Sequence, residues 1–101
     1  NLVNDGKVTN LLDDMIVEVP AVVTYSGING FSVGKLPDGI ASICNREGVI
    51  QKLSAEAAVE GSRKKALEAL DLDDIVRSPE KAKNLLDRFL EVHENYVPDL
   101  S

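Results

Sequence analysis

The sequence predicts an α+β fold, with short antiparallel strands in the N-terminal third followed by three to four helices. Three observations carry that prediction. β-Branched residues crowd into residues 15–23. Asparagine and glycine turn signals punctuate the chain as far as Gly34. From Pro37 onward the apolar residues recur at helical instead of alternating spacing. With no internal repeat and no low-complexity linker, residues 1–101 read as one domain.

At the N-terminus, Leu2-Val3-Asn4-Asp5-Gly6-Lys7-Val8 sets Asp-Gly between short apolar flanks, the signal of a two-residue hairpin turn. Residues 15–23 (Met-Ile-Val-Glu-Val-Pro-Ala-Val-Val) form the best strand in the sequence. Pro20 inside it cannot donate a ladder hydrogen bond, so the strand either bends there or lies at an edge. Residues 25–30 read as a turn, and Phe31-Ser32-Val33 as a short strand stopped by Gly34. Two or three such strands are too few to be stable alone, so they are expected to lean on helices or on another domain.

Pro37 suits a first helical position, and Ile40, Ala41, Ile43 and Cys44 follow at helical spacing. Val49, Ile50, Leu53, Ala57 and Ala58 continue an apolar face up to Gly61, a C-terminal stop. Ser62 can cap a short helix carrying Ala66, Leu67, Ala69 and Leu70, which the acidic run from Asp71 to Asp74 breaks. The last helix has the clearest start: Ser78 as N-cap, Pro79 at the first position and Glu80 at the positive helix end. Ala82, Leu85, Leu86, Phe89, Val92, His93 and Tyr96 lie along one face, ended by Pro98.

The net charge of −6 disfavours binding to nucleic acid or anionic lipid. The one cationic cluster, Arg63-Lys64-Lys65, is interleaved with Glu60 and Glu68 as a solvated helix face would be. No apolar run is long enough to span a bilayer, so no membrane partner is expected. A lone cysteine, Cys44, excludes an internal disulfide and fits a cytoplasmic location. The start at Asn-Leu-Val, already inside structured-looking sequence, is what a piece of a longer polypeptide looks like.

Chemistry is sparse. Gly27, Gly30 and Gly34 are spaced as turn glycines and not as a phosphate loop opening a helix. Cys44 and His93 belong to different helices and fall short of a zinc set. Cys44 reads as a small apolar filler, His93 as a packed or interface histidine. Asp13-Asp14 and Asp73-Asp74 sit at element ends, where carboxylates cap or break. No residue of the chain is therefore assigned as catalytic, cofactor-binding or metal-ligating.

Several stretches, in collinear order, resemble the C-terminal domain of family 4 glycoside hydrolases. Residues 4–20, Asn-Asp-Gly-Lys-Val-Thr-Asn-Leu-Leu-Asp-Asp-Met-Ile-Val-Glu-Val-Pro, are similar to that family's Asn-x-Gly-x-Ile-x-Asn-Leu-Pro-Asp-Asp-x-x-Val-Glu-Val-Pro, with Val8 for Ile and Leu12 for Pro. Gly34-Lys35-Leu36-Pro37, the Ile50-Gln51-Lys52-Leu53 to Arg63 block, and His93-Glu94-Asn95-Tyr96-Val97-Pro98 extend the resemblance. It implies a fold like the C-terminal domain shared by lactate and malate dehydrogenases and this glycosidase group. The implied parent is an α-glucosidase-, α-galactosidase- or α-galacturonidase-like enzyme using NAD and Mn2+. In that family NAD oxidises the sugar at carbon 3, the glycosidic bond leaves by elimination, water adds and the hydride returns. The metal ligands, catalytic tyrosine and NAD loop lie in an upstream domain, so none is carried over. The implied partners are that upstream NAD-binding domain, a sugar substrate and further copies in a homo-oligomer (dimer or tetramer). The domain's implied role is to shape the substrate pocket and the subunit interface. Asn4, Gly6 and Asn10 either approach the substrate or only shape turns. A free-standing interaction module and the equivalent domain of a 2-hydroxy-acid dehydrogenase are the alternative readings.

Overall fold

A computed structural model describes all 101 residues. Four short strands, β1 (Leu2–Val3), β2 (Ile16–Val17), β3 (Ala21–Thr24) and β4 (Gly27–Gly30), precede three helices, α1 (Asp38–Glu60), α2 (Arg63–Leu72) and α3 (Pro79–Val92). The chain forms two compact units, Asn1–Gly48 and Val49–Ser101, and the division falls within α1. No helix is long and apolar enough to cross a membrane.

The first unit holds two separate two-stranded antiparallel sheets, β1 with β2 and β3 with β4. The Asp-Gly turn forms where expected. Asp5 (φ 41°) and Gly6 (φ 76°) both take the left-handed region, and the Lys7 N–H closes the turn on the Asn4 carbonyl at 2.9 Å, a type I′ geometry. Its flanks do not pair across it as a hairpin would. β1 pairs instead with β2, Leu2 opposite Val17 and Val3 opposite Ile16. Hydrogen bonds from the Asn4 and Asp5 N–H groups to the Met15 and Asp13 carbonyls prolong that pairing.

Pro20 bends the β-branched run, which ends β2 at Val17 and resumes as β3. The returning strand is residues 27–30 and not 31–33: a tight turn at Tyr25-Ser26 suffices, and Val23 pairs with Ile28. Residues 31–34 then run back beside Lys7–Thr9 as extended chain, with Val33 N–H donating to the Lys7 carbonyl and Thr9 N–H to that of Gly34. Buried apolar residues in this unit are few: Val8, Val17 and Ala41.

The second unit is helical. Ser62 and Ser78 cap α2 and α3 as the sequence indicates, each accepting from the N–H three residues on. Its buried set is Ala57, Ala69, Val76, Ala82 and Leu86, mostly small residues that let helices approach closely. Arg63 on α2 pairs with Asp87 on α3. Lys65 reaches Glu56 at 2.6 Å and Glu60 at 2.9 Å, tying α2 back to the end of α1. Gly61 turns the chain between those helices with φ 67°, and residues 99–101 lie against it. Ser101 N–H donates to the Gly61 carbonyl, and Arg63 N–H to a Ser101 oxygen.

Three expectations follow. A Cβ at Gly61 would meet the Asp99 carbonyl oxygen at 2.9 Å besides adopting positive φ. Gly61→Ala should therefore cost about 1–2 kcal/mol in denaturant unfolding. Gly39→Ala, with open space around it, should be neutral or stabilising by up to about 1 kcal/mol. The Lys65 ammonium is held above its ordinary value of 10.5 by its hydrogen bonds to Glu56 and then Glu60. That contribution is present at neutral pH and is lost as pH rises through the raised value. Lys65→Met should therefore flatten the alkaline fall of Tm above about pH 10.

Candidate functional site

Asn4 is the one fully buried polar side chain, at 0% exposure. Its Nδ2 donates to the carbonyls of Val8 (3.0 Å), Leu11 (3.1 Å) and Leu12 (3.1 Å), and its Oδ1 accepts from the Val8 N–H (2.7 Å). A primary amide carries two donor hydrogens, so three acceptors means one is shared, and the group is saturated. The short span from the Asp5-Gly6 turn to Leu12 is thereby wrapped around a single side chain.

Asn10 does related work at longer range. Its Nδ2 donates to the Leu36 carbonyl at 2.8 Å while its Oδ1 accepts from the Leu36 N–H at 2.9 Å, a side-chain amide standing in for a strand neighbour. Asn45, on α1, completes the arrangement by donating to the Asn10 carbonyl and accepting from the Leu12 N–H, both at 2.9 Å. Three asparagines thus fix one loop to the linker before α1 and to α1 itself. Asn45 went unremarked in the sequence. Its signal is an asparagine inside a long helix, where it is a poor former unless its side chain has a partner elsewhere.

Beside this loop, within the first unit, lies an open cleft of about 670 Å³ between β1 and β4. Leu2, Val3 and Ile28 give it apolar walls, and Asp5, Asp13 and Asp14 stand along it. Lys7 also lines it, but its ammonium donates to the Val3 and Asn4 carbonyls at 3.1 and 3.3 Å, and its stem lies under Gly30. A Cβ at Gly30 would meet Leu2 Cδ1 at 2.7 Å and Lys7 Cε at 2.8 Å, the ends of two flexible side chains that would have to move aside. The lining is acidic on balance, favouring a neutral hydroxylated or cationic group over a phosphate.

Sequence reasoning left Asn4, Gly6 and Asn10 as residues that either approach a substrate or only shape turns. The structure brings Asn4 and Gly6 into one turn, with Asn4 inside and Gly6 at its exposed tip, and sets Asn10 half-buried against Leu36. Cys44 is half-buried on α1 in the first unit. His93 caps the end of α3 in the second, exposed, its ring 6.3 Å from that of Phe89. No group of three or more His, Cys, Asp or Glu is gathered as a metal would require. The helix start after Gly61 is closed to a dinucleotide phosphate, since Ser62 and Ser101 already accept from its N–H groups. These residues therefore do not fit NAD or Mn2+.

An α+β lobe whose buried polar side chain and asparagine ties are spent on its own backbone is the class of protein this geometry defines. The sequence model described as the family 4 glycosyl hydrolase C-terminal domain matches residues 1–76. The chain belongs to that family, as this domain. It is 36% identical over 98 residues to a probable 6-phospho-beta-glucosidase of Bacillus subtilis, covering 97% of this chain and 22% of that protein. It is likewise 36% identical over 97 residues to phospho-alpha-glucosidase PagL of Clostridium acetobutylicum, covering 96% and 22%. Among solved structures, a 6-phospho-alpha-glucosidase from gut microorganisms in complex with NAD and glucose-6-phosphate superposes with a TM-score of 0.92 at 35% identity, over 99% of this chain and 23% of that one. The 6-phospho-beta glucosidase of Thermotoga maritima with manganese, NAD+ and glucose-6-phosphate gives 0.85 at 33%, over 96% and 24%. The chain thus spans about a fifth of the length of the relatives it matches.

If the Asn4 amide organises the loop, removing it leaves the buried Val8 N–H without its acceptor and takes one hydrogen bond from each of the Val8, Leu11 and Leu12 carbonyls, of which those of Val8 and Leu12 keep a second partner. Asn4→Ala should lower unfolding free energy by about 3–4 kcal/mol, against about 1–2 kcal/mol for the half-buried Asn10→Ala, both read from urea denaturation.

Proposed function

We propose that this chain is the C-terminal domain of an NAD- and Mn2+-dependent glycosidase acting on 6-phosphoglucosides. One observation supports this most directly: near-complete superposition on a 6-phospho-alpha-glucosidase holding NAD and glucose-6-phosphate. In this reading the hydride and Lewis-acid chemistry belongs to an NAD-binding domain of the same polypeptide. A phosphorylated sugar is a cytoplasmic metabolite, which agrees with the unpaired Cys44.

What the domain contributes is shape. Residues 4–10 border the substrate in this reading, with Asn4, Gly6 and Asn10 setting the loop's backbone and not handling the sugar. The acidic lining of the neighbouring cleft turns the phosphate elsewhere and leaves this side to the neutral end of the glycoside. The enzyme also self-associates, this domain supplying part of the contact.

The test is an assay of the full-length protein on nitrophenyl 6-phosphoglucosides of both anomers and on their unphosphorylated counterparts. Turnover should require phosphate, NAD and Mn2+ together and vanish with a chelator, and residues 1–101 alone should give none. Equal activity on unphosphorylated glycosides, or turnover by residues 1–101 alone, would defeat the proposal.

A further inference from the structure

The β3–β4 hairpin is at odds with the rest of the chain. Residues 19–34 contain no Asp, Glu, Lys or Arg, in a protein that is 28% charged with a net charge of −6. Every residue of β3 is exposed, and in β4 only Gly30, at the root, is partly covered. Val23 and Ile28, cross-strand neighbours on one face, are 78% and 62% exposed, and Tyr25 at the turn is fully so. Neither outer edge of this two-stranded sheet is paired. Edges left open in monomers are normally blunted by lysine, by proline or by an inward charge. β3 has none of these within it.

We infer that β3–β4 is an arm through which two copies of this protein engage, β3 pairing antiparallel with its counterpart across a two-fold axis. This rests on the self-association proposed above and names the element responsible. Three features favour a second copy. Residues 1–101 carry a net charge of −6, so two copies of this domain repel where their acidic surfaces meet, and the uncharged arm is where they can approach without like-charge contact. An isologous contact places the same strand from each copy side by side in opposite directions, which is antiparallel pairing. The exposed apolar side chains of the arm and its return, Val22 to Val33, offer on the order of 600–800 Å², close to the roughly 800 Å² that one partner gives a standard interface. β3 is the better edge because Val22, Val23 and Thr24 are strand formers, whereas β4 is half glycine.

The competing occupant is the remaining length of the same polypeptide, and stoichiometry separates the two. In the full-length protein, Val23→Asp and Tyr25→Glu place a carboxylate on the arm's face and at its tip. Light scattering and sedimentation over a range of concentrations should show self-association weakened about a hundredfold or more, with far-UV circular dichroism unchanged. Unchanged stoichiometry in both variants would overturn the inference, as would a monomeric wild type. Should Val23→Asp fail to fold, Tyr25→Glu decides, since that side chain is free of the fold. If both unfold without passing through a folded monomer, the arm is covered by its own polypeptide and the inference is lost. Glycosidase activity, measured separately on the wild type, tests the functional reading independently of this outcome.

Discussion

A primary amide removed from water must find partners for two hydrogens and a carbonyl oxygen, and leaving them unmade costs more than making them gains. Asn4 finds all of them between Val8 and Leu12. Much of the first unit follows from that. The loop has to curl back on itself, which needs a turn with two consecutive left-handed residues, and Asp5-Gly6 provides it. Once curled, the loop cannot lie beside β1 as the second arm of a hairpin, so β1 takes β2 as its neighbour instead. Val8, pinned by its N–H to Asn4, becomes one of the few buried apolar side chains in this half and meets the returning chain at Gly34.

The same economy governs how little the fold buries. Eight apolar side chains make up the core, four of them alanine, while Val23, Val59, Ile75 and Tyr96 stay largely in water. Alanine contributes little burial each, so the helical unit gains by close approach and by ion pairs joining neighbouring elements, such as Lys65 with Glu56 and Glu60. Exposed pairs of that kind are worth little singly. Where such apolar surface is contiguous, it is the kind that further protein covers. That agrees with a chain spanning about a fifth of its relatives' length.

The helices were legible because their signals are local. Ser78-Pro79-Glu80 and Ser62 state a helix start in a few residues, and Gly61 a stop, without reference to the rest of the molecule. The strands were legible in kind but not in partnership. Pro20 announced a break correctly, yet whether the chain returned at 27–30 or at 31–33 depended on how tight the Tyr25-Ser26 turn could be. Nothing in the spacing discriminated between them. The pairing of β1 was hidden for a different reason: it is decided by the Asn4 side chain, whose partners lie on backbone and leave no mark on the identities of the residues they touch. Asn10 and Leu36, 26 positions apart, are linked in the same silent way. The family resemblance located these asparagines without stating what they do.

Position and chemistry can be separated in this domain because its asparagine amides are committed. A side chain that contacts substrate must exchange its partners when the substrate leaves, and water takes over those hydrogen bonds at modest cost. Asn4 has no such freedom, since water does not reach it and its acceptors are the backbone that defines the loop. Any influence of this side chain on a bound sugar must therefore pass through loop geometry, the Asp5-Gly6 tip and the edge carrying Asp13 and Asp14 being held where that one amide permits. Asn10 and Asn45 extend the constraint to Leu36 and α1, so a displacement of the loop would be felt at the start of the long helix. In the proposed reading, a domain built this way acts on a reaction by fixing where its surface stands. The fidelity of that placement is what Asn4, Asn10 and Asn45 specify.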